Sequence, residues 1–129
     1  AELVGRFLKE RKPLAATALS CNTSTLTAVG NDYGYDVVFS RQIEGLAKTG
    51  DVLFAISTSG NSKNVVKAVE SAKAMGVKTI GITGSKGGQL GTLCDICIKV
   101  PAVHTPRIQE MHIAVGHMIC EIIDEIYLA

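Results

Sequence analysis

Residues 51–62 read DVLFAISTSGNS, an apolar run that empties into a loop of hydroxyls and then opens a helix. Val52, Leu53, Phe54, Ala55 and Ile56 have the unbroken apolar character of a strand buried on both faces of a parallel sheet. Ser57, Thr58, Ser59 and Ser62 then place four hydroxyls within six residues. A helix beginning near Ser62 leaves its first backbone N–H groups without intrahelical acceptors, and its dipole adds partial positive charge there, so an anion is favoured. Gly60 permits a tight turn and close backbone approach. One such hydroxyl does no more than cap a helix or satisfy a turn. Four of them at the end of a buried strand make a cradle for a phosphate or phosphosugar, held without a metal.

The histidines and cysteines are the other residues with ligand or nucleophile chemistry. His112 and His117 are five apart in a helical stretch, about 140° around the axis, so they cannot form the i, i+4 metal pair of a zincin-like helix. His112 is expected to be a satisfied core or interface residue, and His104 lies in a loop before Pro106 with no partner in view. Cys94 and Cys97 form a single CxxC within CDICIKV, which reads as a strand whose odd spacing sends the two thiols to opposite faces. With no second CxxC or adjacent His pair, these two and Cys21 and Cys120 are expected as free thiols of a reducing compartment. GSKGGQL at residues 84–90 lacks Walker spacing and is expected to be a flexible connection.

The elements that must position these groups alternate between strand-like and helix-like with short links, the pattern of an α/β domain with a mainly parallel sheet. Four strands are expected, at residues 14–19, 52–56, 77–83 and 96–100. Val65, Val66, Ala68, Val69 and Ala72 recur near the 3.6-residue period and predict a helix over 62–75, ended by Gly76. Residues 36–48 read as a second helix closed by Gly50, and 107–127 as a long third one with apolar residues on several sides, suited to burial between layers or against another subunit. AELVGRFLKERK reads as the last turns of a helix without an N-cap, and a small parallel sheet needs both faces covered, so a preceding segment is expected.

Composition bounds the partners. The 129 residues suit one domain, and charged residues make up 19% with a formal net charge of +1, which leaves no electrostatic footprint for nucleic acid. An apolar fraction of 47% without Trp suits an aliphatic core rather than a base-stacking surface. No apolar run reaches the roughly 18 residues of a membrane span, and no signal-like start is present, so the expected location is the cytoplasm.

ISTSGNS, the GNDYG segment at residues 30–34 followed by FSRQIE, and TPRIQEMH leading into the last helix together resemble the sugar isomerase (SIS) domain of the phosphoheptose isomerase family. The resemblance runs the length of the chain. It implies a three-layer αβα SIS domain over residues 1–129, lacking N-terminal helices, one of which carries a further metal-binding His, a first strand and a glycine-rich loop. It implies conversion of sedoheptulose 7-phosphate to D-glycero-D-manno-heptose 7-phosphate for bacterial lipopolysaccharide or other surface heptose, commonly with zinc, in cytoplasmic homotetramers. By residue, it implies Glu2 as an active-site glutamate and Asn31 and Asp32 as a substrate-contacting pair. Ser57, Thr58, Ser59 and Ser62 match the phosphate loop, Gln109 a substrate- and metal-contacting glutamine, and His117 a catalytic, metal-contacting histidine. Glu2, Gln109 and His117 would then be the zinc ligands.

Isomerisation of a ketose to an aldose asks for a base that removes a proton from C1 and returns it at C2 through an enediol, a task for Glu2, with His117 moving a proton between the two oxygens and zinc polarising the carbonyl. Gln109 and His117 are eight residues apart, about 12 Å along one helix, so a shared site is expected to take them from neighbouring chains. Two other classes share the loop: a non-catalytic SIS tetramer that binds the replication initiator protein, and a sugar-phosphate sensor. Glu2, Gln109 and His117 favour the enzyme, because a pure binder needs neither a base nor a proton shuttle.

Overall fold

The computed structural model describes residues 1–128, without the Leu128 side chain. Five helices and three strands follow the order α1 (Thr23–Tyr33), a 3-10 turn (Tyr35–Val37), α2 (Ser40–Leu46), β1 (Val52–Ile56), α3 (Lys63–Ala74), β2 (Lys78–Thr83), α4 (Leu90–Leu93), β3 (Ile96–Lys99) and α5 (Thr105–Leu128). The strands form one parallel sheet in the order β1-β2-β3, with Ala55 opposite Gly81 and Gly81 opposite Cys97. Every strand therefore ends at the same edge, and the loops that leave that edge lie side by side.

Side-chain parity divides the sheet. Ala55 packs with Val66 and Val69 of α3 and Leu90 of α4, while Ile82 on the opposite face packs with Val100 and Ile108, flanked by Met111 and Val115 of α5. Val69, Ile82 and Leu90 are wholly buried, and each such side chain contributes about 1.5–3 kcal/mol. A third cluster of Ile43, Ala68, Ala72 and Val77 clamps α2 onto α3. Helices thus lie on both faces in three layers, and no helix among the described residues is long and apolar enough to cross a membrane.

The expected β1 and α3 form as read, and Gly76, with φ of 72°, follows the last turn of α3. Elsewhere the fold departs from expectation. Residues 14–19 make no ladder with the sheet, which has three strands instead of four; LAATAL is mostly small side chains with little area to bury. β1 is not covered on both faces: Val52 and Ile56 are 56% and 53% exposed, because α5 reaches only the Ile82 end of that side. The 36–48 helix breaks into the 3-10 turn and α2, with the bend at Val38 and Phe39. Residues 23–33, outside the expected elements, form α1, whose Asn22 cap accepts from the Thr25 N–H at 3.0 Å. Cys94 lies before β3 and escapes strand parity, so both thiols converge over Gly81: a Cβ there would lie 2.9 Å from Cys94 Sγ and 3.4 Å from Cys97 Sγ.

Residues 84–90 are a buttress, not a loose connection. The Gly84 N–H donates to Thr58 O at 2.9 Å, Leu90 N–H to Gly60 O at 3.1 Å, and Gln89 N–H to Asn61 Oδ1 at 3.0 Å. The approach is so close that a Cβ on Gly60, whose φ is 69°, would sit 1.9 Å from Gly87 O.

The first twelve residues are turns and bends in place of a helix end, and a buried ion pair ties them to α5. Arg11 Nε donates to Asp124 Oδ1 at 2.6 Å with both side chains at most 2% exposed. Asp124 Oδ2 accepts from the Leu8 and Lys9 N–H groups at 2.9 and 3.0 Å, and Arg11 also donates to Glu2 O and Leu3 O. The carboxyl is held below its ordinary pKa, first by the Lys9 N–H and then by Arg11 and the Leu8 N–H, against the opposing effect of burial.

A folded-state pKa below the unfolded value means that Asp124 adds stability above about pH 4 and that this is lost as pH falls through the folded value. Asp124→Asn is expected to flatten the acid limb of a pH series of thermal melts and to speed hydrogen exchange at Leu8 and Lys9; an unchanged acid limb would discount the tie. Gly60→Ala combines a φ of 69° with the clash at Gly87, and is expected to lower stability by about 1–3 kcal/mol or more in urea unfolding.

Candidate functional site

In open α/β sheets ligands gather beyond the carboxyl ends of the strands. Here β1 ends in Ser57, the loop turns through Gly60, and α3 begins after Ser62. Ser62 stands at the N-cap without a side-chain cap hydrogen bond. Its hydroxyl instead meets Ser57 Oγ at 2.8 Å, and Ser57 Oγ also accepts from the Gly60 N–H at 3.1 Å. Ser57 is buried, Ser62 exposed, and the pair lies beside the N–H-bearing first turn of a twelve-residue helix.

Two cavities meet at this loop. One is lined by Ile56, Ser57, Thr58, Ser62, Gln109, His112 and Ile113. The other has Thr58, Ser59, Asn61, Ser85, Lys86 and Thr105 among its walls. The four hydroxyls are thus divided: Ser57 and Ser62 face Gln109, Thr58 borders both spaces, and Ser59 faces Lys86 while its Oγ accepts from the Asn61 N–H at 3.1 Å. Ser59 thus satisfies one turn N–H with an oxygen lone pair and keeps its hydroxyl proton to donate. Lys86 escaped the sequence reading, although its place in GSKGGQL beside a hydroxyl loop was a signal for it.

The remaining expected residues fall elsewhere in the chain. Asn31 and Asp32 are exposed on the last turn of α1 and line neither cavity. His117 is exposed on α5, and its ring stacks on Phe7 with centroids 5.3 Å apart and planes inclined by 26°. Glu2 is half-buried on the N-terminal strap. Arg11, which pairs with Asp124 of α5, also donates to Glu2 O at 2.7 Å, which places Glu2 by the C-terminal half of α5, the half that carries His117. Gln109 is two turns away with the hydroxyl loop. Among the described residues no three His, Cys, Asp or Glu side chains gather as a metal site, and neither Glu2 nor His117 lines the cavity that Gln109 lines.

His112 departs from expectation in one respect. It is buried, 6% exposed, but it is not satisfied: its Nε2 has no hydrogen-bond partner.

The SIS domain family model matches residues 1–84. The chain is 59% identical to the phosphoheptose isomerase of Rhodospirillum rubrum over 125 residues, which is 97% of this chain and 66% of that protein. It is 62% identical to the phosphoheptose isomerase of Nitratiruptor sp. over 125 residues, 97% of this chain and 67% of that protein. The solved structure of a phosphoheptose isomerase from Francisella tularensis superposes with a TM-score of 0.91 at 41% identity, covering 96% of this chain and 66% of that one. The chain thus spans about two thirds of the length of the relatives it matches. From the hydroxyl loop at the strand ends to the sequence around it, the chain belongs to the SIS domain family, in the group that holds the phosphoheptose isomerases.

Proposed function

We propose that this chain is the phosphosugar-holding part of a ketose–aldose isomerase that converts sedoheptulose 7-phosphate to D-glycero-D-manno-heptose 7-phosphate. The observation that carries this reading is the Ser57–Ser62 hydroxyl pair, 2.8 Å apart at the start of α3 and facing Gln109 across one cavity, in a chain 59–62% identical to phosphoheptose isomerases. Ser57, Thr58, Ser62 and the first N–H groups of α3 bind the phosphate and fix that end of the sugar, so that the other end is presented to the reacting groups. Glu2 takes the proton from C1 and returns it to C2 of the enediol. His117 passes the hydroxyl proton from O1 to O2, so the substrate gains and loses nothing overall.

Glu2 and His117 lie by one half of α5, while Gln109 lies with the loop at the other. The reading therefore takes each site from two chains, the loop and Gln109 from one and the acid–base pair from its neighbour, as a homotetramer would allow. Asn31 and Asp32 contact substrate from a neighbouring chain in the same way. Zinc on Glu2, Gln109 and His117 would also need donors from two chains, and the proton transfers above use only the protein's own groups. The product would feed bacterial surface heptose in the cytoplasm.

In an isomerase assay of the intact protein, Glu2→Gln and His117→Ala are each expected to lower kcat by about 10²–10⁴-fold with little change in KM. Undiminished turnover in either variant would remove that residue from the mechanism. Co-expressing Gln109→Ala with His117→Ala chains is expected to restore part of the activity each lacks alone, since mixed assemblies contain some sites with both residues intact. Activity no greater than that of the separate variants would put the whole site in one chain.

A further inference from the structure

His112 is left over by the assignment above. It is 94% removed from solvent on α5, yet its Nε2 is buried with no hydrogen-bond partner, the one such side-chain atom among the described residues. Leaving a buried polar atom unpaired forfeits its hydration without return, so folded proteins keep few of them without a use. The residue is not in an apolar corner of the core. It lines the cavity that Ser57, Thr58, Ser62 and Gln109 also line. Three residues beyond Gln109 on one helix, it lies about 60° around the axis and one turn along, on the same face.

The donors on the loop side are already divided. Ser57 Oγ accepts from the Gly60 N–H, and only one proton can sit between Ser57 Oγ and Ser62 Oγ, which leaves the other proton of that pair, the Thr58 hydroxyl and the first N–H groups of α3 for an incoming anion. All of these approach from the β1–α3 side. His112 stands across the cavity on a different element, where a ligand phosphate would otherwise face Ile113 and Ile56. An imidazole that carries its proton on Nε2 donates to a phosphoryl oxygen whether the ring is neutral or charged.

We propose that His112 is a substrate-binding residue whose Nε2–H donates to the phosphate held by the Ser57–Ser62 loop, closing the anion site from the α5 side. The proposal deepens the phosphosugar reading above and rests on it for the nature of the anion. It also explains why a polar ring is buried there: the ligand supplies the missing partner.

The test pairs His112→Phe, which fills the space without a donor, with His112→Gln, whose amide can place an N–H near the position of Nε2. His112→Phe is expected to melt at the same temperature as the parent or above it when no ligand is present, because an unpaired buried atom has been replaced by apolar surface. Its KM for sedoheptulose 7-phosphate and its Kd for inorganic phosphate should rise about tenfold or more, the loss of one hydrogen bond to a charged group, with kcat little changed. His112→Gln should recover part of that affinity. Titration of the parent with inorganic phosphate should shift the His112 ring nitrogen resonance together with the Ser57 and Ser62 amides.

Phosphate that shifts Ser57 and Ser62 but leaves His112 unmoved, with His112→Phe binding as tightly as the parent, would overturn the proposal. Failure of phosphate to bind at all would overturn it too. A protein without isomerase turnover in which phosphate still moves His112 would sink the enzymatic reading and leave this one standing.

Discussion

The contact between the backbones of Gly60 and residues 87–88 sets what the rest of the site can be. A parallel sheet ends all its strands at one edge, and the loops after β1 and β2 must then share a small volume. They do so by letting backbone lie on backbone, with Gly60 O and Thr58 O accepting from Leu90 and Gly84 N–H groups. Once interlocked, the hydroxyl loop has little freedom, and Ser57 and Ser62 are held in reach of each other before any ligand arrives. Preorganisation of this kind reduces the ordering cost of binding. Glycine at 60 and 88 is required by the lack of room and by positive φ together.

A second, more local constraint governs the other half of the molecule. The strap of the first twelve residues has no regular structure to hold it, so its position depends on Asp124 and Arg11. An isolated carboxylate this deeply buried would be expensive; here two backbone N–H groups and a guanidinium satisfy it. Asp95 solves a similar problem at the turn into β3, where the Thr79 N–H and hydroxyl hold its carboxyl below the usual pKa and its own N–H returns a bond to Thr79 Oγ1. In both places one side chain does for irregular backbone what a ladder does for a strand.

The parts of the fold legible in the sequence were those whose pattern is local. β1, α3 and the helix at the C-terminus follow from apolar periodicity and from glycine and serine at their ends. Residues 14–19 misled because a short, mostly apolar run resembles a strand, but its small side chains bury too little to hold one. The thiols of Cys94 and Cys97 were misplaced because parity applies only inside a strand, and Cys94 lies outside it. The hydroxyl loop and its place at a strand end were legible, but its division between two cavities was not, since which way each hydroxyl turns is settled by residues 84–90 and α5. His112 shows the limit most clearly. Its burial was readable from the apolar helix around it, whereas its missing partner depends on which side chains reach it from other elements.

β1 carries a further consequence. It is an edge strand of five apolar residues, with no proline and no charge, and one of its faces is largely open. Such a segment has the composition of a cross-β former, and its outer row of N–H and C=O groups is a template for another chain. What guards it is small: Asp51 stands immediately before the strand, fixed in the preceding turn by the Lys48 N–H at 2.9 Å. That flanking charge stands where a gatekeeper residue belongs, beside an apolar strand with an open edge.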